Sequence, residues 1–184
     1  NRWFRMTVRA IVLGAGKGVR MQSDLAKVLH PVAGRPMLHW VLDVVSAAAC
    51  DDTVVVVGHQ ADAVRAILPD GVRSVLQEEQ LGTGHATMVG LQAIDVEADD
   101  EVIVLPGDMP LVRSETLTTM LQIHRDSGAA ATLLTVAPEE SPAFGRIIRR
   151  DGAVVAIVEA KDATPEQLAI KELCTSVYVF SGAL

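Results

Sequence analysis

Six short runs rich in Val, Ile and Leu punctuate the chain, and they constrain its fold more than any other feature. They are RAIVLG (9–14), TVVVVG (53–58), RSVLQ (73–77), EVIVLP (101–106), AATLLTV (130–136) and SVYVF (176–180). Their apolarity is continuous rather than alternating, as a strand covered on both faces requires. Between them lie segments with helical spacing. In PMLHWVLDVVSAAAC, Met37, Trp40, Val41, Val44 and Ala48 fall on one face, with Pro36 suited to the first turn. In SETLTTMLQIHRDSG, Ser114 is the expected N-cap, Leu117, Met120, Leu121 and His124 form a face, and Gly128 is the expected stop. TPEQ (164–167) has the capping-box pattern, with Pro at the first helical position. Strand alternating with helix predicts an α/β fold, a Rossmann-like doubly wound, mostly parallel sheet with helices on both faces. Ligands of such sheets bind beyond the carboxyl ends of the strands.

A chain of 184 residues can bury a good core, and 49% hydrophobic content with 21% charged residues excludes disorder. No apolar run approaches the roughly 18 residues of a membrane span. NRWFRMTVRA lacks the apolar core of a signal peptide. Met6 is the expected start, with residues 1–8 an N-terminal extension and 9–184 the folded domain. Cys50 and Cys174 form no CxxC, and the five histidines show no ligand spacing, which argues against zinc or a disulfide framework and for a cytoplasmic setting. The net charge of −7 argues against nucleic acid. The charge is uneven, however. Residues 1–40 carry seven basic groups and one acid, Asp24, whereas the rest carries nine basic and 22 acidic groups. A local positive region in an acidic protein suits a small polyanion such as a nucleotide or sugar phosphate.

LGAGKGVRM (13–21) follows the first apolar run, where a Gly-rich loop can receive phosphate. It is not a Walker A loop, because Gly18 stands where Ser or Thr should follow Lys17. It is not a GxGxxG dinucleotide fingerprint, because Val19 takes the last glycine's place. Open amides with Arg20 and Lys27 would neutralise a triphosphate. Spacing alone leaves a second reading open, a plain strand-to-helix turn. In VIVLPGDMPLV, Asp108 sits at a strand's carboxyl tip, placed either to hold Mg²⁺ or to cap the next turn. In LQEEQLGTGHATMVGL, the Gln77 and Gln80 amides can read a base edge, Gly82 and Gly84 allow close approach, and Thr83 can cap a helix. His85 is read as packing in that helix's first turn rather than as a general base.

Taken in order, these segments resemble the sugar-phosphate nucleotidyltransferase superfamily. Within it they are most similar to the uridylyltransferase domain of bacterial bifunctional N-acetylglucosamine-1-phosphate uridyltransferases. LGAGKGVRMQSDLAKVLHPVAGRPML resembles the family's LAAGxGTRM loop and its PKVLH-like continuation, and QLGTGHA, PGDMPL, FGRI and VEAKDATPEQ match further blocks. The resemblance runs from about Arg9 to the last residue. It implies the nucleotide-diphospho-sugar transferase fold and a cytoplasmic enzyme of cell-wall sugar-nucleotide synthesis. UTP and N-acetylglucosamine 1-phosphate would give UDP-N-acetylglucosamine and pyrophosphate.

By the same resemblance, Leu13, Gly14, Ala15 and Gly16 lie under the nucleotide. Arg20 grips the outer phosphates, and Lys27 sits by the α-phosphate. Gln77, Gln80, Gly82 and Thr83 surround uracil, Asp108 ligates Mg²⁺, and Gly145, Glu159 and the position of Cys174 hold the sugar. Gly14 and Val19 replace the family's usual Ala and Thr, and Ala26 replaces Pro. Cys174-Thr175-Ser176 stands for the usual Asn-Thr-Gly, and a thiol cannot reproduce an amide's hydrogen bonds. Relatives carry a further metal-binding Asn and a β-helix acetyltransferase domain beyond this point and trimerise through the latter. The chain is accordingly expected to be a truncated, monomeric piece that binds small molecules, neither nucleic acid nor membrane. Two other readings remain: a transferase of this fold with another sugar phosphate or nucleotide, and a non-catalytic nucleotide-binding or regulatory domain.

Overall fold

The computed structural model describes residues 6–18, 21–140 and 143–183. The chain forms two compact units, one of residues up to 132 together with 178 onward, the other of residues 133–177.

The first unit is built on four parallel strands in the order β5 (Arg73–Leu76), β4 (Asp52–Val57), β1 (Val8–Leu13), β6 (Glu101–Pro106). The last residues of β10 (Leu173–Ser181) add an antiparallel edge, Tyr178 opposite Val104. Val54–Val57, Ile11 and Val102–Leu105 are almost wholly buried, as their unbroken apolarity requires. Helices α1 (Met37–Ala47), α2 (Ala61–Arg65), α3 (Thr83–Gln92) and α4 (Ser114–Ser127) connect the strands. The mostly parallel α/β sheet is the predicted fold class.

Helix α3 lies very close to the sheet. A Cβ on Gly90 would come within 2.5 Å of the Ile11 side chain, so glycine's lack of a side chain permits that approach. Helix α4 buries Leu117, Met120, Leu121 and His124, and ends at Gly128 in the left-handed region, φ +58. The buried His124 is satisfied at both ring nitrogens, by Thr132 Oγ1 (2.9 Å) and Ser181 Oγ (3.1 Å).

Several local expectations are corrected. The buried stripe of α1 is Met37, Leu38, Val41, Leu42 and Val45, with Trp40 and Val44 beside it. Trp40 carries an N–H that needs an acceptor. It finds one in the Val32 carbonyl (2.9 Å), on a hairpin of β2 (Pro31–Val32) and β3 (Arg35–Pro36). Pro36 precedes α1 instead of occupying its first turn. Ser114 does not cap α4, because the helix starts one residue early. Arg113 is the N-cap, and its carbonyl accepts from the Thr116 and Leu117 amides.

The second unit contains the antiparallel hairpin β8 (Arg146–Arg150) and β9 (Ala153–Val158), with Leu173 at the start of β10 pairing Arg146. The hairpin turns at Asp151–Gly152, both at positive φ (+51° and +82°), as a type I′ turn demands. A short helix α5 (Pro165–Leu168) carries the predicted capping box. Gln167 N–H donates to Thr164 Oγ1 (3.3 Å) and Thr164 N–H to Gln167 Oε1 (2.9 Å). Strand β7 (Ala131–Val136) pairs with β10.

At the amino ends of the parallel strands Asp100, 5% exposed, accepts from the Thr7 and Glu97 amides and from Arg9 Nε at 2.8 Å. Burial alone would push its carboxyl up, but those donors together outweigh it and hold the pKa below the ordinary 3.8. A depressed carboxylate stabilises the fold fully above its unfolded pKa, and the contribution disappears as pH falls through the folded value. Asp100→Asn is therefore expected to lower stability at neutral pH by about 2 kcal/mol. That corresponds to roughly 4–8 °C in the unfolding midpoint. The loss should shrink on titration below about pH 4, where wild type and variant converge in a denaturation series.

Candidate functional site

The loops that follow β1, β5 and β6 emerge from the carboxyl edge of the sheet and bound a cleft of about 620 Å³. The glycine loop leaves β1 as the Gly14 N–H donates to the Val56 carbonyl (2.8 Å), and the end of β6 is held by Gly107 N–H to the Leu13 carbonyl (2.8 Å). Leu13, Ala15 and Gly16 line the cleft, whereas Gly14 is buried beside Val55 and Val56 and forms no part of its wall. Arg20 lies outside the described residues.

Lys27 opens a three-residue 3₁₀ turn, Lys27–Leu29, anchored by the buried Val28. Its ammonium forms an ion pair with the Asp108 carboxylate across the cleft. The Lys27 side chain is 41% exposed and that of Asp108 20%, so both remain within reach of a ligand. Among the described residues, no group of three or more His, Cys, Asp or Glu side chains could hold a metal ion. A single cleft carboxylate does fit Mg²⁺, which keeps several waters and takes one or two carboxylates together with substrate phosphates.

The third wall is the segment 77–86. Gln77 is buried, and its Nε2 lies 3.0 Å from His85 Nδ1 and 3.4 Å from the Gly82 carbonyl. A carbonyl only accepts, so Nε2 donates there, and the amide's orientation follows. Gln80, Gly82 and Thr83 also line the cleft. Thr83 is the first residue of α3 and not its cap; Gly82 occupies that position at φ +98, open to residues without a side chain. His85 serves Gln77 and reaches it from the first turn of α3.

Gly145, Glu159 and Cys174 gather separately in the second unit. A Cβ on Gly145 would lie 3.6 Å from Glu159 Oε1 and 3.8 Å from Cys174 Cβ, and the Gly145 carbonyl accepts from the Cys174 amide (2.8 Å). The buried Cys174 Sγ accepts from the Ser176 N–H at 3.4 Å. Burial and then the charge of Asp51 push the Cys50 thiol up to about 12, which disfavours its thiolate. Among the described residues no helix is long and apolar enough to cross a membrane.

A parallel sheet whose carboxyl-edge loops bring glycine amides, a lysine and a carboxylate around one cleft is built to receive a phosphate-bearing ligand. The chain belongs to the family of MobA-like NTP transferase domains, whose pattern matches residues 10–171. It is 46% identical to the bifunctional protein GlmU of Exiguobacterium sibiricum over 95% of this chain and 39% of that protein. It is 48% identical to the bifunctional protein GlmU of Geobacter metallireducens over 95% of this chain and 37% of that protein. The chain thus spans under two fifths of the length of those relatives.

Among solved structures, a UDP-glucose pyrophosphorylase complexed with UDP-glucose superposes with a TM-score of 0.76 at 16% identity, covering 96% of this chain and 76% of that one. The UDP-glucose pyrophosphorylase from Acinetobacter baumanii gives 0.73 at 19%, covering 96% and 75%. These likenesses establish the nucleotide-diphospho-sugar transferase fold.

Ser176 sits at φ +63, where the resembled motif has glycine. A side chain there costs on the order of 1 kcal/mol. Ser176→Gly is expected to raise stability by about that amount, read as a higher urea midpoint at unchanged m-value.

Proposed function

We propose that the chain is the uridylyltransferase part of an enzyme that joins UTP to N-acetylglucosamine 1-phosphate. A phosphate oxygen of the sugar 1-phosphate attacks the α-phosphorus of UTP in line. The new P–O bond forms as the bond from that phosphorus to the oxygen bridging to the β-phosphate breaks, and pyrophosphate leaves with the electron pair. The attacking oxygen is already ionised, so positioning and charge neutralisation carry the catalysis and no general base is required.

The observation that carries this reading is the Lys27–Asp108 pair facing the glycine loop. A nucleotide would draw Lys27 towards its α-phosphate, where the ammonium stabilises the charge that builds up in the transition state. Asp108 would hold Mg²⁺, which when bound neutralises phosphate charge. The glycine-loop amides and Arg20 would receive the remaining phosphates. Gln77 has its Nε2 engaged by His85 and Gly82, which leaves Oε1 as an acceptor. An acceptor there can take the N3 proton of uracil, whereas cytosine has no proton at N3 and would have to present its exocyclic amine instead.

Gly145, Glu159 and Cys174 supply the sugar side of the proposal. N-acetylglucosamine follows from the resemblance drawn in the sequence, where Cys174 stands in the place of the motif's asparagine. Cytoplasmic localisation and a monomeric state for this chain are part of the same proposal.

A thermal-shift panel with Mg²⁺ and UTP, CTP, GTP or UDP-N-acetylglucosamine tests the ligand. At a hundredfold over Kd a ligand adds about 2.7 kcal/mol, and the uridine compounds alone should give that shift. A shift with another base instead would discard uridine, none at all would overturn the nucleotide-binding reading, and a shift without pyrophosphate release would favour a non-catalytic nucleotide-binding domain. Lys27→Ala should lower the rate of pyrophosphate release by about a hundredfold or more while preserving most of the UTP-induced shift. Unchanged turnover would remove Lys27 from the chemistry.

A further inference from the structure

The backbone that carries Lys27 is fixed by a side chain from a different loop. Residues Asp24–Ala26 lead into the 3₁₀ turn without regular structure of their own. Gln60, in the turn after β4, reaches across to them. Its Oε1 accepts from the Ala26 N–H at 2.8 Å, and its Nε2 donates to the Asp24 carbonyl at 2.9 Å. His59 Nε2 donates to the same carbonyl at 3.3 Å.

The same turn also holds the glycine loop. The His59 N–H donates to the Ala15 carbonyl at 3.2 Å, and Gly58 packs so tightly that a Cβ there would lie 2.8 Å from Ala15 Cβ. Three consecutive residues, Gly58 to Gln60, thus tie together the two loops that carry the glycine amides and the lysine. Gln60 adopts φ +52 to do so, a region unfavourable for a residue with a side chain.

Ala26 gives this contact its particular meaning. It is fully buried, with φ −54 and ψ 136, a φ that proline adopts without strain. Proline would restrict that backbone by its ring, whereas alanine leaves it free to rotate but offers an N–H. Gln60 takes up that N–H.

We infer that Gln60 is a positioning residue for the transfer reaction, acting through the Asp24–Ala26 backbone to set where Lys27 stands. The inference rests on the reading of Lys27 proposed above. Displacing a catalytic group by about 1 Å can cost a hundredfold in rate, and a half-exposed lysine whose partner is Asp108 takes its aim from its Cα.

The test compares Gln60→Ala, Gln60→Glu, Ala26→Pro and the double variant Gln60→Ala/Ala26→Pro. Pyrophosphate release from UTP and N-acetylglucosamine 1-phosphate is followed, with amide hydrogen exchange over residues 24–28 as a readout independent of chemistry. Gln60→Ala should lower kcat about tenfold or more, with KM for UTP changed by less than about twofold, and should speed exchange across 24–28. Gln60→Glu keeps the acceptor for Ala26 and should lose less. Ala26→Pro, added to Gln60→Ala, should recover most of kcat, since the ring supplies the restriction that the hydrogen bond supplied. A merely structural role would not give that recovery.

Wild-type kcat in Gln60→Ala, or a loss that Ala26→Pro leaves untouched, would overturn the inference. Lys27→Ala run alongside separates the two failures. If it is inactive while Gln60→Ala is fully active, only the positioning role falls. If it is itself fully active, the reading of Lys27 falls and this role with it.

Discussion

Everything about the cleft depends on β4, β1 and β6 ending in register. Leu13 stands opposite both Val56 and Pro106, so β1 and β6 stop together, and β4 stops one residue later, level with β5. The first residues beyond them are still held by the ladder, Gly14 to the Val56 carbonyl, Gly107 to the Leu13 carbonyl and Gln77 to the Val57 carbonyl, each at 2.8 Å. Parallel strands are wound in one direction, so every loop at this edge leads from a strand towards a helix. Glycine loop, Gln60 turn, Gln77 segment and Asp108 thus share an edge because of backbone hydrogen bonding, before any side chain is considered.

Charge is divided along the same axis. At the amino edge the ions are paired within the fold: Arg9 with Asp100 and Asp52, Arg73 with Asp52, Arg125 with Glu101. At the carboxyl edge Lys27 and Asp108 pair with each other in an accessible cleft. The basic excess of the first 40 residues is therefore not one ligand-facing patch. Arg9 closes the bottom of the sheet, and Arg35 lies 4.6 Å over the Trp40 ring and pairs with Asp43. Of those cations that the structure describes, Lys27 is the one that lines the cleft.

The parallel strands were legible because burial on both faces demands unbroken apolar runs, and TVVVVG and EVIVLP allow little else. The LGAGKG loop and Asp108 were legible as a site because a strand's carboxyl tip is where ligands bind; the pairing of Asp108 with Lys27 was not, since it joins residues 81 positions apart in sequence. The phase of α1 was misread because Trp40 counts as apolar in a pattern while its N–H seeks an acceptor at the rim. The hairpin of β8 and β9 went unseen although RDGA carries its turn signal and AVVAIV is an unbroken apolar run, because β8, RIIRR, is mostly arginine and gives that run no apolar partner in the sequence. Gln60 had no signal at all. Its meaning lies in the Ala26 N–H, which a list of side chains does not display.

Strand β9 ends the order of the sheet, and its six residues, AVVAIV, contain no charge and no proline. Val154, Val155 and Ile157 are 38%, 50% and 38% exposed, so both of its faces meet solvent, and among the described residues no strand pairs with it beyond β8. A short apolar edge of this kind is a template for strand addition, and identical chains present identical templates. What restrains it is local. Arg149, Arg150 and Asp151 precede it across Gly152 and Glu159 follows directly, and stacking copies in register would bring like charges together at both ends. Colloidal behaviour should accordingly depend on ionic strength. Salt that screens those flanking charges removes the repulsion and leaves the apolar strand to self-associate.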